Sequence, residues 1–317
     1  MIRIAILESL LLNSIMFVKD FLDRITGLFC FVVLYMNLRK FGCGSAALGG
    51  EIWMQVVVPI KQVPETKRVK MDEATGTVIR DGVESIVNPL DLYSIELALE
   101  LKRRYGAEVI AVTMGPPKAV DALKEAVSMG CDSAVLISDP VFGGSDTWAT
   151  SLILSESIKR IGYDIIICGE RATDGDTGQV GPGVAAFLNL PVMTYVSKVE
   201  GVEGSVCTVE RMVEDGYERL SCSLPLVLTV VKEVSDPGLP TLRGKQRAKA
   251  AVIPCWDHEL LGIEPSDVGL PGSPTRVVKI SKPKVTRQCQ LCFAGDEQMA
   301  DDSVDKLFKH LTRKELL

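Results

Sequence analysis

Residues 54–188 follow a repeating pattern of apolar and polar positions. Short runs rich in Val and Ile alternate with longer stretches in which apolar residues recur every three or four positions. The short runs predict buried strands, and the longer stretches predict amphipathic helices. Such alternation predicts an α/β fold, a doubly wound parallel sheet whose right-handed crossovers place helices on both faces. The predicted strands are residues 55–60, 109–114, 134–137 and 164–168, and the predicted helices start near residues 89, 119, 147 and 184.

Local signals mark where these helices begin and end. Asn88 followed by Pro89 is typical of an N-cap and a first helical position. Asp146 predicts another N-cap, and Gly106 predicts a helix C-terminus. Between the first strand and the first helix, residues 69–80 predict a small β-hairpin.

The pattern changes after Pro191. Four β-rich runs broken by glycines predict an antiparallel excursion that returns to the core sheet. Residues 234–263 combine Pro and Gly breaks with little periodicity, which predicts a long arm without regular structure that is functional or held by a partner. A short amphipathic helix is predicted at residues 302–317. We therefore expect an α/β domain at residues 54–233, followed by the arm and the C-terminal helix at residues 234–317.

Residues 1–53 differ from the rest of the chain. Their apolar stretches, 6–18 and 28–36, fall short of the ~20 uninterrupted apolar residues of a membrane-spanning helix. They also lack the cleavage pattern of a signal peptide. A Gly-Gly-Glu run precedes Met54, and codons for that run can spell a ribosome-binding sequence. We therefore expect translation to start at Met54, with residues 1–53 a translated upstream region. An amphipathic segment on a membrane surface is the alternative.

Composition excludes several classes of function. The chain has 317 residues, of which 47% are apolar, and a net charge of −6. Basic residues cluster only at residues 243–247, which is too little positive charge to predict a nucleic-acid partner. Nine scattered cysteines predict reduced thiols in the cytoplasm. Cys289 and Cys292 form a single CxxC pair that cannot complete a zinc site locally. With two histidines in the chain, we expect no metal site and no histidine-centred catalytic set.

The candidate binding chemistry lies in residues 174–182, which follow the last predicted strand of the α/β pattern. Small residues let backbone N–H groups approach a phosphate, and the dipole of the next helix adds partial positive charge. The carboxylates of Asp174 and Asp176 would repel a bare phosphate, so they fit better as turn residues or as acceptors for ribose hydroxyls. A plain turn is the alternative, but it needs about 2–6 residues.

Other loops are expected beside this one, because nucleotides bind such sheets at the carboxyl ends of the strands. Lys61, Asn88 and residues 114–116 follow or lie between the neighbouring predicted strands. The crevice is therefore expected to combine these residues with the 174–182 loop.

Five segments occur in an order and spacing that resembles the β subunit of electron-transfer flavoproteins, over residues 54 to about 312. The resemblance implies a fold like the adenine-nucleotide α-hydrolases and a heterodimer with an α subunit that carries the electron-transferring FAD. It also implies an adenine nucleotide in the crevice, AMP in the ordinary group and a second FAD in the bifurcating group. The five segments are residues 58–64, 86–91, 112–117, 126–130 and 174–182.

The resemblance also implies roles for single residues. Leu242 lies where the family has an anchoring leucine for redox partners, which are acyl-CoA dehydrogenase-type enzymes or quinone reductases, with ferredoxin or flavodoxin as further acceptors. The implied nucleotide-binding residues are Pro59, Asn88, Pro89, Leu90, Asp91, Met114, Asp174, Gly175, Asp176, Thr177, Gly178, Gln179, Val180, Gly181, Pro182 and Ala185.

The small residues of the 174–182 loop, together with residues 88–91 and 113–117, are similar to those of the bifurcating group. They leave room and N–H donors for a diphosphate. The resemblance then implies NADH as electron donor, with one electron sent to a high-potential acceptor and one to a low-potential acceptor. Since the electron chemistry belongs to the flavin, no residue of this chain need be an acid or base, and any enzymatic activity would be shared with the α subunit.

Three alternatives remain open. The first is an ordinary β subunit with a structural AMP that passes dehydrogenase electrons to a quinone reductase. The second is an ATP-cleaving enzyme, because residues 142–147 resemble a pyrophosphatase loop, although Phe142 replaces its leading Ser and the loop follows a later strand. The third is a nucleotide sensor without electron transfer.

Overall fold

The computed structural model describes residues 54–65, 70–71, 78–79, 85–278 and 295–316. The expectations for residues 1–53 and for Cys289 and Cys292 lie outside the described residues. The described residues up to Arg276 belong to one compact unit, and those from Val277 belong to a second.

The first unit contains the strands and all but one of the described helices. The strands are β1 (Gln55–Pro59), β2 (Gln62–Pro64), β3 (Lys70–Met71), β4 (Val78–Ile79), β5 (Ser85–Val87), β6 (Glu108–Met114), β7 (Ser133–Ile137), β8 (Ile165–Gly169), β9 (Val192–Glu203), β10 (Val206–Val213), β11 (Gly216–Ser223), β12 (Leu226–Val230) and β13 (Cys255–Trp256). The helices are α1 (Asp91–Tyr105), α2 (Val120–Met129), α3 (Thr147–Ile161), α4 (Val180–Leu188), α5 (Leu242–Ala250), α6 (His258–Leu261) and α7 (Gly269–Gly272), and α8 (Glu297–Arg313) forms the second unit.

The main sheet has nine strands in the order β11-β10-β9-β12-β8-β1-β6-β7-β13. Strand β1 lies in the middle and pairs in parallel with β6 on one side and β8 on the other. Strands β9 to β11 form antiparallel pairs, and β12 returns to pair in parallel with β8. This arrangement confirms the predicted doubly wound sheet with its antiparallel excursion. The strand order reverses between β1 and β8, where such folds open a ligand crevice.

Helices cover both faces of the parallel strands. Val56 and Val58 of β1 pack into an apolar cluster with α1 and α2, whereas Val57 packs into a second cluster with α3 and α4. All five residues of β1 are buried. A strand buried on both faces reads as a continuous apolar run, which explains why the Val and Ile runs predicted the central strands.

Helix boundaries match the predictions in part. Gly106 ends α1 in the left-handed conformation with φ of 71°, and the Asp146 carboxylate caps α3 by accepting the Ala149 N–H at 3.0 Å. The prediction that Asn88 caps α1 was wrong. The helix begins at Asp91, after Leu90, without a side-chain cap, because the Asn88 side chain bonds a distant loop instead.

The expectation of a structureless segment at residues 234–263 was also wrong. Helix α5 packs against α2, and β13 pairs in parallel with β7 at the sheet edge. The helical pattern was hidden because α5 is rich in Arg and Lys, and Gly244 reads as a helix breaker. That glycine is needed for space, since a Cβ there would collide with the main-chain carbonyl of Ser128.

This contact gives a first testable prediction. Gly244→Ala is expected to lower the free energy of unfolding by about 1–3 kcal/mol, because α5 must move away from α2 to fit the methyl group. Gly238→Ala is the matched control, since a Cβ at Gly238 would lie 3.5 Å from the nearest atom, Glu96 Oε2. Urea unfolding of both variants tests this. Equal stability of the two would contradict the packing described.

Candidate functional site

The carboxyl ends of β1, β6 and β8 lie side by side at the centre of the sheet. Pro59 is the last residue of β1, Met114 the last of β6 and Gly169 the last of β8. The loop at residues 170–179 then leads from β8 into α4. Predicted site residues from three separate parts of the chain therefore meet at the point where the strand order reverses.

Asn88 ties these loops together. Its fully buried side-chain amide donates to Asp91 Oδ1 and to the Arg171 carbonyl, both at 2.9 Å. Its Oδ1 accepts the Thr173 N–H at 3.2 Å, and its own N–H donates to the Lys61 carbonyl at 2.8 Å. Asn88 thus holds the 170–179 loop against the turn that follows β1 at Lys61, which we call the β1 turn. The Asn88 side chain is buried beneath the crevice and does not line it.

Asp91 belongs to the same hydrogen-bond network and contacts both Asn88 and Lys61. Its Oδ2 accepts the Lys61 N–H at 2.7 Å. Burial raises the pKa of the Asp91 carboxyl to about 7, despite the opposing effects of the Lys61 N–H, the Asn88 amide and the Lys61 charge. Gly169 allows the carboxylate to come this close, since a Cβ there would collide with Asp91 Oδ1.

The loop carboxylates are paired with cations. Lys61 Nζ lies 2.7 Å from Asp174 Oδ1, and Arg171 NH1 lies 3.2 Å from Asp176 Oδ1. Exposed pairs such as these contribute about 0–1 kcal/mol each to stability. Their effect here is electrostatic, because they offset the repulsion that Asp174 and Asp176 would otherwise exert on a phosphate.

The glycines of the loop differ in what they provide. Gly178 adopts a left-handed φ of 63°, beside Asp176 at 54°. Gly175 faces open space, since the nearest atom to a Cβ there would be Lys61 Nζ at 3.9 Å. The loop therefore combines a constrained turn at Gly178 with room beside Gly175 for a ligand to approach the backbone.

Helix α4 directs its N-terminus toward this loop. Gln179 precedes it and provides no side-chain cap. A Cβ at Gly181 would lie 2.5 Å from Thr229 Cγ2, and one at Gly183 would collide with Ser151. These glycines let α4 pack closely on β12 and α3. Its first-turn N–H groups and dipole are suited to an anion.

The remaining predicted residues occupy varied positions. Pro89 is exposed and Leu90 half-buried at the turn before α1, and Met114 packs against the second apolar cluster. Ala185 is buried within that cluster. Leu242 lies elsewhere, 83% exposed at the start of α5.

Sequence reasoning missed several residues that build the site. Gly169 is missed because its packing partner, Asp91, is distant along the chain. Arg171 and Thr173 are missed because their partner in the loop contact, Asn88, is equally distant. The basic Arg171 beside an acidic loop was the one local signal.

The loop at residues 142–147 is arranged differently from a phosphate-cleaving loop. Phe142 is buried, and the Ser145 hydroxyl donates to its carbonyl at 2.8 Å while accepting the Gly269 N–H at 3.0 Å. Asp146 accepts bonds from Ala149 and from Thr275. These polar groups are engaged in holding α3 and the segment around α7, which disfavours the ATP-cleaving alternative.

Within the described residues, none of the helices combines the length and apolar character that a bilayer crossing requires.

Comparison with known proteins gives consistent results. The family model described as the electron transfer flavoprotein domain matches residues 75–260. Electron transfer flavoprotein subunit beta of Thermoanaerobacterium thermosaccharolyticum is 40% identical over 258 residues, covering 80% of this chain and 98% of that protein. Caffeyl-CoA reductase-Etf complex subunit CarD of Acetobacterium woodii is 46% identical over 263 residues, covering 82% and 97%. Protein FixA of Azorhizobium caulinodans is 37% identical over 271 residues, covering 83% and 96%.

Proposed function

The chain belongs to the electron-transfer flavoprotein family as a β subunit, and from this premise we propose that it binds FAD in the crevice between β1 and β8. We further propose that it accepts electrons from NADH for electron bifurcation, together with an α subunit. Its resemblance to the bifurcating group supports this assignment over the ordinary, AMP-containing type.

The observation that carries the proposal is the open loop at residues 174–178. Gly175 leaves space beside the backbone, and the charges of Asp174 and Asp176 are balanced by Lys61 and Arg171. The N-terminus of α4, which begins at Val180, is suited to phosphate oxygens. A loop of small residues with balanced charge fits a diphosphate better than a loop of bulky acidic residues would.

Each part of the site would have a distinct task. The backbone of residues 175–181 would hold the phosphates. The carboxylates of Asp174 and Asp176, in the same loop, would accept hydrogen bonds from ribose hydroxyls. Asn88 and Asp91 would act from beneath by fixing the loop. When bound, FAD supplies the hydride and electron chemistry, while the chain supplies position and electrostatics.

Partner docking is a separate part of the proposal. Leu242 is exposed at the start of α5, and Leu239 before it is 90% exposed. We assign this segment to contact with a redox partner of the acyl-CoA dehydrogenase type, which the name of the Acetobacterium relative, a subunit of a caffeyl-CoA reductase complex, supports. Quinone reductases, ferredoxin and flavodoxin are the other proposed partners. The cysteines that the structure describes are free, which supports a reducing, cytoplasmic location.

Cofactor stoichiometry tests the proposal. The chain from Met54 is co-expressed with its α subunit, and the flavin and AMP released on denaturation are quantified per heterodimer. We expect two FAD and no AMP, with rapid reduction of the flavin by NADH under anaerobic conditions. One FAD with one AMP would make the chain an ordinary β subunit and would end the bifurcation proposal.

A further inference from the structure

Hydrogen-bond directions in the Asp91 network are fixed by its partners. The Asn88 amide nitrogen faces two acceptors, Asp91 Oδ1 and the Arg171 carbonyl, and its oxygen faces the Thr173 N–H. An amide nitrogen can only donate, so the orientation of Asn88 is set by these three contacts. Asp91 must then accept at both oxygens, one bond from Asn88 and one from the Lys61 N–H.

A proton on Asp91 has no acceptor within this network. Protonation at Oδ2 would put a proton on the oxygen that accepts the Lys61 N–H and would weaken that contact, and the Lys61 side chain is the one that pairs with Asp174. Protonation at Oδ1 would require Asn88 to turn over, and Asn88 would then lose both Arg171 and Thr173. Either route weakens the contacts that hold the 170–179 loop, so the loop is held more firmly while Asp91 is charged.

Neighbouring groups shift the pKa of Asp91 in opposite directions. The groups that face it are the Lys61 ammonium from the β1 turn, the Asp174 carboxylate from the loop and the Cys168 thiol of β8. Burial raises the Asp91 pKa to about 7, Lys61 lowers it and Asp174 raises it. Burial and the Asp91 charge raise the pKa of Cys168 to about 12, so that thiol stays neutral.

We propose that Asp91 is a positioning residue that holds the 170–179 loop through Asn88 and Lys61 when charged and releases it when protonated, so that the crevice loses affinity for an adenine nucleotide as the solution becomes acidic. The ligand in this statement rests on the proposed function. The linkage between Asp91 and the loop does not.

Hydrogen exchange of the loop tests the linkage directly. The heterodimer is labelled at about pH 6 and about pH 8.5, and exchange of the Thr173 and Asp176 amides is corrected for its intrinsic pH dependence. We expect these amides to be roughly tenfold less protected at the lower pH, while peptides from β6 stay unchanged. Loop protection that does not vary with pH would overturn the proposal, and this measurement needs no variant.

Two variants sharpen the result. Asp91→Asn retains the shape of the side chain but presents one acceptor instead of two, so the loop should be weakly protected at both pH values. Ser94→Ala is the matched control, because the Ser94 hydroxyl donates to the main-chain carbonyl of Asp91 at 2.7 Å and leaves the carboxylate untouched. It should keep the wild-type profile. Wild-type loop protection in Asp91→Asn would overturn the proposal.

Binding of ADP-ribose separates this inference from the proposed function. Its diphosphate has no ionisation near neutral pH, so any pH dependence comes from the protein. Calorimetry on nucleotide-depleted heterodimer should give roughly tenfold weaker binding at about pH 6 than at about pH 8.5. Equal binding at both would overturn the proposal. Loop exchange that follows pH, with no ADP-ribose binding at all, would support the role of Asp91 and overturn the assignment of the crevice.

Discussion

Asp91→Asn is expected to stabilise the fold above neutral pH, although it loosens the loop. The ordinary pKa of an aspartate is 3.8, and burial raises the pKa of Asp91 to about 7 in the folded chain. Between these two pH values the folded state therefore binds more protons than the unfolded state. The free energy of unfolding therefore falls as pH rises through this window, by about 4 kcal/mol in all. Removing the buried charge recovers this loss, less about 1–2 kcal/mol because one buried N–H donor is left without an acceptor.

Unfolding of wild type and variant at two pH values checks this expectation. At about pH 8 the variant should be more stable by about 2–3 kcal/mol, and at about pH 4 the gain should vanish. Ser94→Ala should change the free energy of unfolding by the same amount at both pH values. A variant that is less stable at about pH 8 would show that the carboxylate stabilises the fold, which would contradict the burial argument. Stability lost to a buried charge beside the proposed binding site would be an example of the common trade-off between stability and function.

Gly175→Val and Gly178→Val are expected to abolish retention of the nucleotide on purification, with at least tenfold lower occupancy. The valine at position 175 would fill the open space beside Lys61 Nζ, so the fold should keep its stability while the ligand is excluded. At position 178 the left-handed φ of 63° disfavours a β-branched residue and distorts the turn.

Gly204→Val provides the matched control for this pair. Gly204 also has a left-handed φ, 59°, with no atom within 4 Å of a Cβ, but it lies in the turn between β9 and β10. Chromatography of the nucleotide released on denaturation measures occupancy. Full occupancy in both loop variants would refute the placement of the ligand beside residues 175–178.

Much of the fold could be predicted from local pattern. The central strands are buried on both faces, so their Val and Ile runs carry a strong signal. The ends of α1 at Gly106 and the start of α3 at Asp146 use residues that act within one helical turn. Such signals depend on neighbours in sequence, which is why they could be read directly.

The rest depends on contacts between distant residues. Asn88 has the local appearance of a helix cap, but its partners Arg171 and Thr173 are 83 and 85 residues away. Helix α5 and β13 were missed because a basic helix and a two-residue strand have little pattern of their own, and they form where α2 and β7 support them. Topology predicted that Pro59, Met114 and the 174–182 loop converge at the strand ends, where the structure places them. The pairing of Lys61 with Asp174 was visible only in the structure.

Strand β13 also has a consequence for self-association. Its segment accepts the Leu136 N–H at Pro254 and the Ser138 N–H at Trp256, at 2.9 and 3.0 Å. These are donors that the outer side of β7 would otherwise present to solvent. An apolar strand with open donors is a template for pairing with another molecule, and natural proteins cover such edges. The segment around β13 thus covers the edge of β7, and we expect a chain cut before Pro254 to expose this apolar strand to pairing with another molecule.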